Sequence, residues 1–516
     1  MNRTTTLKTL CMGVALTACM TLPAFGQSKP TASAQQRTEA HFRTIRAQPP
    51  ELWAFLKDMP KGGDLHSHLS GAIYAESMVG WAVEDGLCVD PKTLSVVKPP
   101  CDPALGQMAA KDAQLDGVLY RRLIDAWSMR NAATSGLSGH DQFFDSFGKF
   151  GLSNKNRTGD MLAEVAARAS AGQVSYLELM LTPGGSGVGK VAAKAQWNDD
   201  FGAMRAAMLE SGMPEAAQAA ADELNRANAR KAEILRCGTA QAAPGCAVTV
   251  RYLYQVLRGL PKEIVFAQML VGFELASRGG ADTQVVGLNL VMPEDALVPM
   301  RDFSLHMRLL DYLHSVYPKV QVTLHAGELV PGLVPPEGLR FHIRESIALG
   351  HAKRIGHGVA VMQEDDAVGL LKAMARNKVM VEICLTSNTG ILGVSGAQHP
   401  LSAYLKYGVP TALATDDEGV SRSEMTHEYV KAVQEQNVSY RQLKSMARNS
   451  LHYAFVEGAP LWKNMDRLNP VAACSGAMPG SKRTTARCQT YLEQNPKARL
   501  QWQLEDALTA FERKFQ

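Results

Sequence analysis

From Gly62 onward, short β-branched runs alternate with long amphipathic stretches. The runs are "GGDLHSHL" (62–69), "VSYLELML" (174–181), "VTVRYLYQV" (248–256), "VVGLNLV" (285–291), "VQVTLHAG" (320–327), "KRIGHG" (353–358), "VMVEICLTS" (379–387) and "VPTALATDD" (409–417). Between them, in stretches such as "KEIVFAQMLVGFELASRG" and "MRDFSLHMRLLDYLHSVY", apolar residues recur at steps of three and four, the spacing of one helix face. Strands alternating with helices are the signature of parallel β/α units, and eight such units predict a (β/α)8 TIM barrel.

Two connections exceed what a plain barrel needs. Residues 73–173 and 182–247 are read as helical insertions, the second carrying the Ala-rich "MPEAAQAAADELNRANARKAEIL". A helical extension over 27–60 leads into a barrel spanning 61–460, and a helical tail with a cysteine loop follows over 461–516.

Composition narrows the class. The 516 residues are 46% hydrophobic, 20% charged and 7% aromatic, as in a soluble globular protein. The formal charge is +4 and the basic residues are scattered, which gives no footprint for nucleic acid. At the N-terminus, Arg3 and Lys8 precede an apolar stretch from Leu10 to Ala24, and "AFGQ" offers a cleavage site after Gly26. Residues 1–26 therefore read as an export signal, with a periplasmic or secreted product. The alternative is lipid anchoring through Cys19, which closes the lipoprotein-like "LTAC". No other segment is long and apolar enough to span a bilayer.

The cysteines agree with export. Cys88 and Cys101, Cys237 and Cys246, and Cys474 and Cys488 form three local pairs, each bracketing a loop-like stretch, and they are disulfide candidates in an oxidising compartment. Cys384, inside "VMVEICL", is left as a buried free thiol.

In a barrel of this kind chemistry sits at the C-terminal ends of the strands. His66 and His68, two residues apart, project from one face of the first strand. "HAGE" supplies His325 and Glu328, "GHG" supplies His357, and "TDD" supplies Asp416 and Asp417. Three histidines and a carboxylate make a nitrogen and oxygen set suited to zinc, which lowers a water's pKa toward about 7. Glu328 and His357 are then free for proton handling. The competing assignment makes Asp416 or Asp417 the cap of a helix at "EGVSRSEM". His342, His351 and His427 lack a strand-end position and are expected on the surface or in packing, and Glu382 is expected to make a structural polar contact.

The segments "MPKGGDLHSHLSGA", "TLHAGE", "IRESIALGHAKRIGHG", "CLTSN" and "TDDEGVSRSEMTHEY" resemble the adenosine deaminase family of metal-dependent amidohydrolases. The export signal, insertions and cysteine pairs look most like its secreted branch, the adenosine deaminase-related growth factors and their bacterial relatives. The resemblance implies one zinc ion per chain, held by His66, His68, His325 and Asp416. It also implies that Glu328 gives a proton to purine N1, that His357 orients the hydroxide and assists its deprotonation, and that Asp417 holds N7. Adenosine or deoxyadenosine would become inosine or deoxyinosine with loss of ammonia, and the same resemblance points to a homodimer.

Two positions depart from the family pattern. Ser70 stands where an acidic residue commonly contacts the ribose, and Met292 stands where a glycine amide commonly faces purine N3, in "NLVM" beside Asn289. These departures keep a modified adenosine or adenine open as substrate, whereas the absence of a phosphate cradle argues against a nucleotide. The rival functions are another amidohydrolase using two metals, which the lack of lysine in "VVGLNLV" disfavours, and a non-catalytic nucleoside-binding or signalling factor.

Overall fold

In the computed structural model, which describes residues 33–195, 197–279, 282–477, 479–480 and 483–515, the β-branched runs become eight strands. They are β1 (Gly62–His68), β2 (Val174–Leu181), β3 (Thr249–Leu257), β4 (Val285–Val291), β5 (Gln321–Ala326), β6 (Arg354–His357), β7 (Met380–Ile383) and β8 (Thr411–Leu413). Each pairs in parallel with the next in chain order. Closure runs through Asp416, just past β8: its N–H donates to the His66 carbonyl at 2.8 Å and its own carbonyl accepts from the His68 N–H at 2.9 Å. The fold is thus a (β/α)8 barrel. The proposed export signal and Cys19 lie outside the described residues.

Two predicted strands end early. β7 stops at Ile383, and Leu385–Leu392 is helical, so the last three residues of "VMVEICLTS" start a helix. β8 is three residues long because the chain leaves the ladder after Ala414, whose N–H still donates to the Ile383 carbonyl at 2.9 Å. There Thr415 Oγ1 donates to Asp64 Oδ2 at 2.5 Å, and Asp416 takes a left-handed conformation (φ 60°) that no strand accommodates.

Between β1 and β2 the chain forms helices including Gly139–Phe150 and Thr158–Ala171, together with a small sheet of Cys88–Asp90, Ser95–Val97 and Met108–Ala109. Helices Gly185–Lys194, Phe201–Glu210 and Met213–Ile234 lie between β2 and β3. Disulfides join Cys88 to Cys101, Cys237 to Cys246 and Cys474 to Cys488, and Cys384 is free and buried. The first and last helices meet: Phe55 packs on Phe42, Tyr440 and Phe511, and Lys444 Nζ donates to Glu512 at 2.6 Å. Among the described residues no helix is long and apolar enough to cross a membrane.

Inside the barrel lies a buried ionic chain. Arg354 on β6 donates to Glu178 on β2 at 2.6 Å, to Glu382 on β7, and to the Tyr453 carbonyl at 2.8 Å. Thr323 on β5 donates to Glu382 Oε1 at 2.9 Å, while Tyr176 donates to Glu178 at 2.7 Å. All these charges are fully buried, so removing the cation leaves two carboxylates without water. Arg354→Met is expected to destabilise the fold by about 3–5 kcal/mol in urea denaturation, the range for a broken buried pair. A loss of only a few tenths would show that the chain is not held together in this way.

Candidate active site and metal centre

The strand ends bring together every residue of the anticipated cluster. His66 and His68 point to the same side of β1, His325 lies near the end of β5, His357 closes β6, and Asp416 follows β8. Two glycines make room for this crowding. A Cβ on Gly356 would come within 2.6 Å of the His66 ring, and one on Gly71 would lie 1.5 Å from the Asp417 carboxylate. His357 (φ 65°) and Asp416 (φ 60°) both hold left-handed backbone, which costs about 1–3 kcal/mol per residue and is found where surrounding structure enforces it.

The ligand-type atoms converge. His68 Nε2 lies 3.2 Å from His325 Nε2 and 3.3 Å from Asp416 Oδ1, and His66 Nε2 is 3.4 Å from the same oxygen. One donor atom from each of His66, His68, His325 and Asp416 falls within 4.8 Å of the others. The opposite nitrogens are all anchored: His66 Nδ1 to Glu382 Oε2 at 2.7 Å, His68 Nδ1 to Gln255 Oε1 at 2.9 Å, and His325 Nδ1 to Asn289 Oδ1 at 3.0 Å. Asn289 Oδ1 also accepts the His325 backbone N–H at 2.9 Å, which fixes the amide's orientation. Each Nδ1 therefore donates, and each Nε2 turns a lone pair toward its neighbours.

This arrangement fits a divalent cation. Lone pairs 3.2 Å apart repel unless a positive charge lies between them, and His66 Nε2 is buried without a hydrogen-bond partner. Burial works against charge on His66, yet Asp416 and Glu382 outweigh it and lift its pKa to about 10, so these carboxylates favour a cation at this spot. Burial and the neighbouring imidazoles hold His325 well below the ordinary histidine range. A second group, His66, His357, Cys384 and Asp416, shares two of these residues. Burial and nearby carboxylates push the Cys384 thiol far up.

Glu328 and Asp417 flank the cluster. Burial, with Asp416 and Glu294 close by, raises the Glu328 carboxyl well above the usual range. Its backbone N–H donates to Glu294 Oε2 at 2.8 Å and that of Gly327 to Glu294 Oε1 at 3.0 Å, while His342 Nδ1 secures Glu294 at 2.6 Å. His342 is thus a buried brace for the turn that presents Glu328. Asp417 is also raised by burial, an effect that His68 opposes and Asp416 reinforces, and its Oδ1 has no partner. Neither aspartate caps the next helix, which starts at Met425 with Glu424 as its cap residue. Burial depresses the His357 pKa to about 3 despite Asp416.

These groups open into a cavity of about 410 Å³ lined by Ser70, Phe143, Phe144, Phe147, Met292 and Ile391, among others. The phenylalanines come from the helix Gly139–Phe150, within the helical insertion between β1 and β2. The sequence signal was "FFDSF", three aromatics on one helix face beside the barrel mouth. Met292 holds φ 84°, and Arg258 donates twice to its carbonyl, at 3.0 and 2.9 Å, keeping this strained residue at the cavity wall. The sequence carries no signal for the partners of Gln255, Asn289, Glu294 and Arg258, because a polar residue within an apolar strand or turn does not reveal what it will face.

The adenosine deaminase family model matches residues 142–467, more than half of the chain. The His66–His68 strand lies before this match, so that half of the cluster rests on geometry. Curated adenosine deaminases align over shorter stretches. One from Yersinia pseudotuberculosis is 33% identical over 154 residues, covering 30% of this chain and 43% of its own length. Another, from Klebsiella pneumoniae, is 40% identical over 136 residues, covering 26% and 38% respectively. The chain therefore spans about two fifths of the length of the curated relatives it matches. Among solved structures, the apo N6-methyl-AMP deaminase from Arabidopsis thaliana shares the fold with a TM-score of 0.50 and 20% identity, covering 81% of this chain and 96% of that one. With the family match spanning most of the barrel, the chain belongs to the adenosine deaminase family.

Proposed function

We propose that this protein is a hydrolytic deaminase that converts adenosine or deoxyadenosine to inosine or deoxyinosine with release of ammonia. The observation that carries this reading is the convergence of an ion-ready set with a proton-holding carboxyl at one cavity: His66, His68, His325 and Asp416 beside Glu328. The residues suit one zinc ion, which when bound would supply hydroxide at neutral pH.

The chain's own groups supply the rest. Glu328, held protonated by burial and by Asp416 and Glu294, gives a proton to purine N1 and makes C6 more electrophilic. Asp417, its carboxyl also raised, donates a hydrogen bond to N7 and fixes the ring. His357 orients the attacking oxygen. Addition of the oxygen at C6 is followed by transfer of its remaining proton to the amine, so cleavage of the C6–N bond releases ammonia and leaves a 6-oxopurine with the Glu328 proton on N1, and the proton lost when water becomes hydroxide returns to Glu328. Phe143, Phe144 and Phe147 wall the cavity with apolar surface that excludes competing water.

The described residues lining the cavity include no lysine or arginine. Burying a phosphate there would leave its charge unpaired, which favours nucleosides over nucleotides. Ser70 and Met292 tune the sugar and base contacts. The three disulfides support export to an oxidising compartment, as the N-terminal segment suggests.

Ammonia release from adenosine, deoxyadenosine, adenine and AMP tests the reading. Glu328→Gln is expected to lower kcat by about 10²- to 10⁴-fold with zinc content and melting temperature retained, the usual share of a general acid. Stripping the metal should abolish turnover, and adding zinc should restore it. The kcat/KM for adenosine should exceed that for AMP by at least about tenfold, equivalent to about 1.4 kcal/mol. Turnover of AMP alone, or full activity in the Gln variant, would sink the assignment.

A further inference from the structure

A residue outside the cavity, His399, fixes which nitrogen of His357 carries hydrogen. Leu401 opens the helix Leu401–Tyr407, where backbone N–H groups lack partners within the helix. Its N–H donates to His399 Nδ1 at 3.1 Å. A backbone N–H can only donate, so His399 Nδ1 is an acceptor and the ring's hydrogen sits on Nε2. That Nε2–H reaches Asn388 Oδ1 at 3.0 Å. The Asn388 amide is thereby oriented, with its Nδ2 turned to His357 Nδ1 at 3.0 Å.

An amide NH2 also only donates, so His357 Nδ1 accepts and its hydrogen must lie on Nε2. This is the atom that faces Asp416 Oδ2 at 3.9 Å and is buried without a hydrogen-bond partner. Glu328 Oε1 stands 3.7 Å from His357 Nδ1, beyond hydrogen-bond reach, and does not compete. Asn388, His399 and His357 are all buried, so water does not reset the chain of donors.

We propose that His399 and Asn388 are positioning residues that hold His357 as the Nε2–H tautomer. His357 then donates a hydrogen bond to the attacking oxygen and does not take the water's proton at that nitrogen. With hydrogen on Nε2 it offers no lone pair there, which removes His357 from the alternative ligand group with Cys384 and leaves the set of His66, His68, His325 and Asp416. The catalytic consequence rests on the deaminase reading; the tautomer rests on the hydrogen-bond chain alone.

Neutron diffraction from deuterium-exchanged crystals of the zinc-loaded protein tests this directly. Deuterium on Nε2 of both His399 and His357 is expected, and deuterium on His357 Nδ1 would overturn the proposal. Asn388→Asp supplies a carboxylate that accepts from both rings, so the His357 hydrogen should move to Nδ1. There kcat should fall about 10²-fold or more, with KM little changed and zinc retained, since a wrong tautomer disables catalysis without emptying the site. His399→Phe, which frees the Asn388 amide to turn over, should give mixed occupancy and a smaller loss. An unchanged kcat in a variant whose hydrogen has moved would overturn the positioning role. Wild-type protein with the Nε2 hydrogen but no turnover of any purine would sink the deaminase reading and leave the relay standing.

Discussion

Glu382 accepts from two directions at once, from Arg354 below and from His66 above, and much of this molecule depends on that double contact. Burial alone would raise its carboxyl, but Arg354 and His66 bring it down to about 2 and keep it ionised. An ionised Glu382 demands the Nδ1 hydrogen of His66, so the lone pair of His66 is turned to the mouth of the barrel. The ion pair that ties β2, β6 and β7 together thus also aims the first ligand. Such a buried chain is costly to assemble and is weak evidence for stability in itself. Its role here is to make barrel closure and site geometry one event.

The same logic repeats around the cluster. Gln255, Asn289 and Glu382 each hold one Nδ1, and Asn388 acts on the fourth imidazole with the opposite polarity, donating where the others accept. Three histidines are thereby set to offer lone pairs and one to offer a hydrogen. Asp416 serves both levels, since its backbone closes the barrel while its carboxylate faces His66 and His68. Its left-handed backbone, and that of His357, are the local cost of bringing these groups together.

The barrel and its reactive residues were legible because they follow from periodicity and from residue type at strand ends. The pair His66 and His68 shares a face by the geometry of any strand, and "HAGE", "GHG" and "TDD" carry their chemistry in their letters. The supporting residues were not legible in the same way. Asn289 lies in a strand and finds His325 on the next one, and Asn388 meets His399 only after a turn of helix and a loop. Whether an amide donates or accepts is decided by a backbone N–H elsewhere, which no local pattern encodes. The phenylalanine wall was hidden for a related reason: an aromatic helix face in an insertion reads as core until the barrel mouth is placed against it.

On the proposed reading the barrel mouth holds one metal ion on the nitrogens of His66, His68 and His325 and a carboxylate oxygen of Asp416. The most direct measurement is a crystal structure of the zinc-loaded protein with anomalous diffraction collected on both sides of the zinc edge. A single peak is expected about 2.0–2.2 Å from Nε2 of His66, His68 and His325 and from a carboxylate oxygen of Asp416, the usual zinc distances. A peak bound by His357 and Cys384, or two peaks sharing a bridging ligand, would contradict that reading.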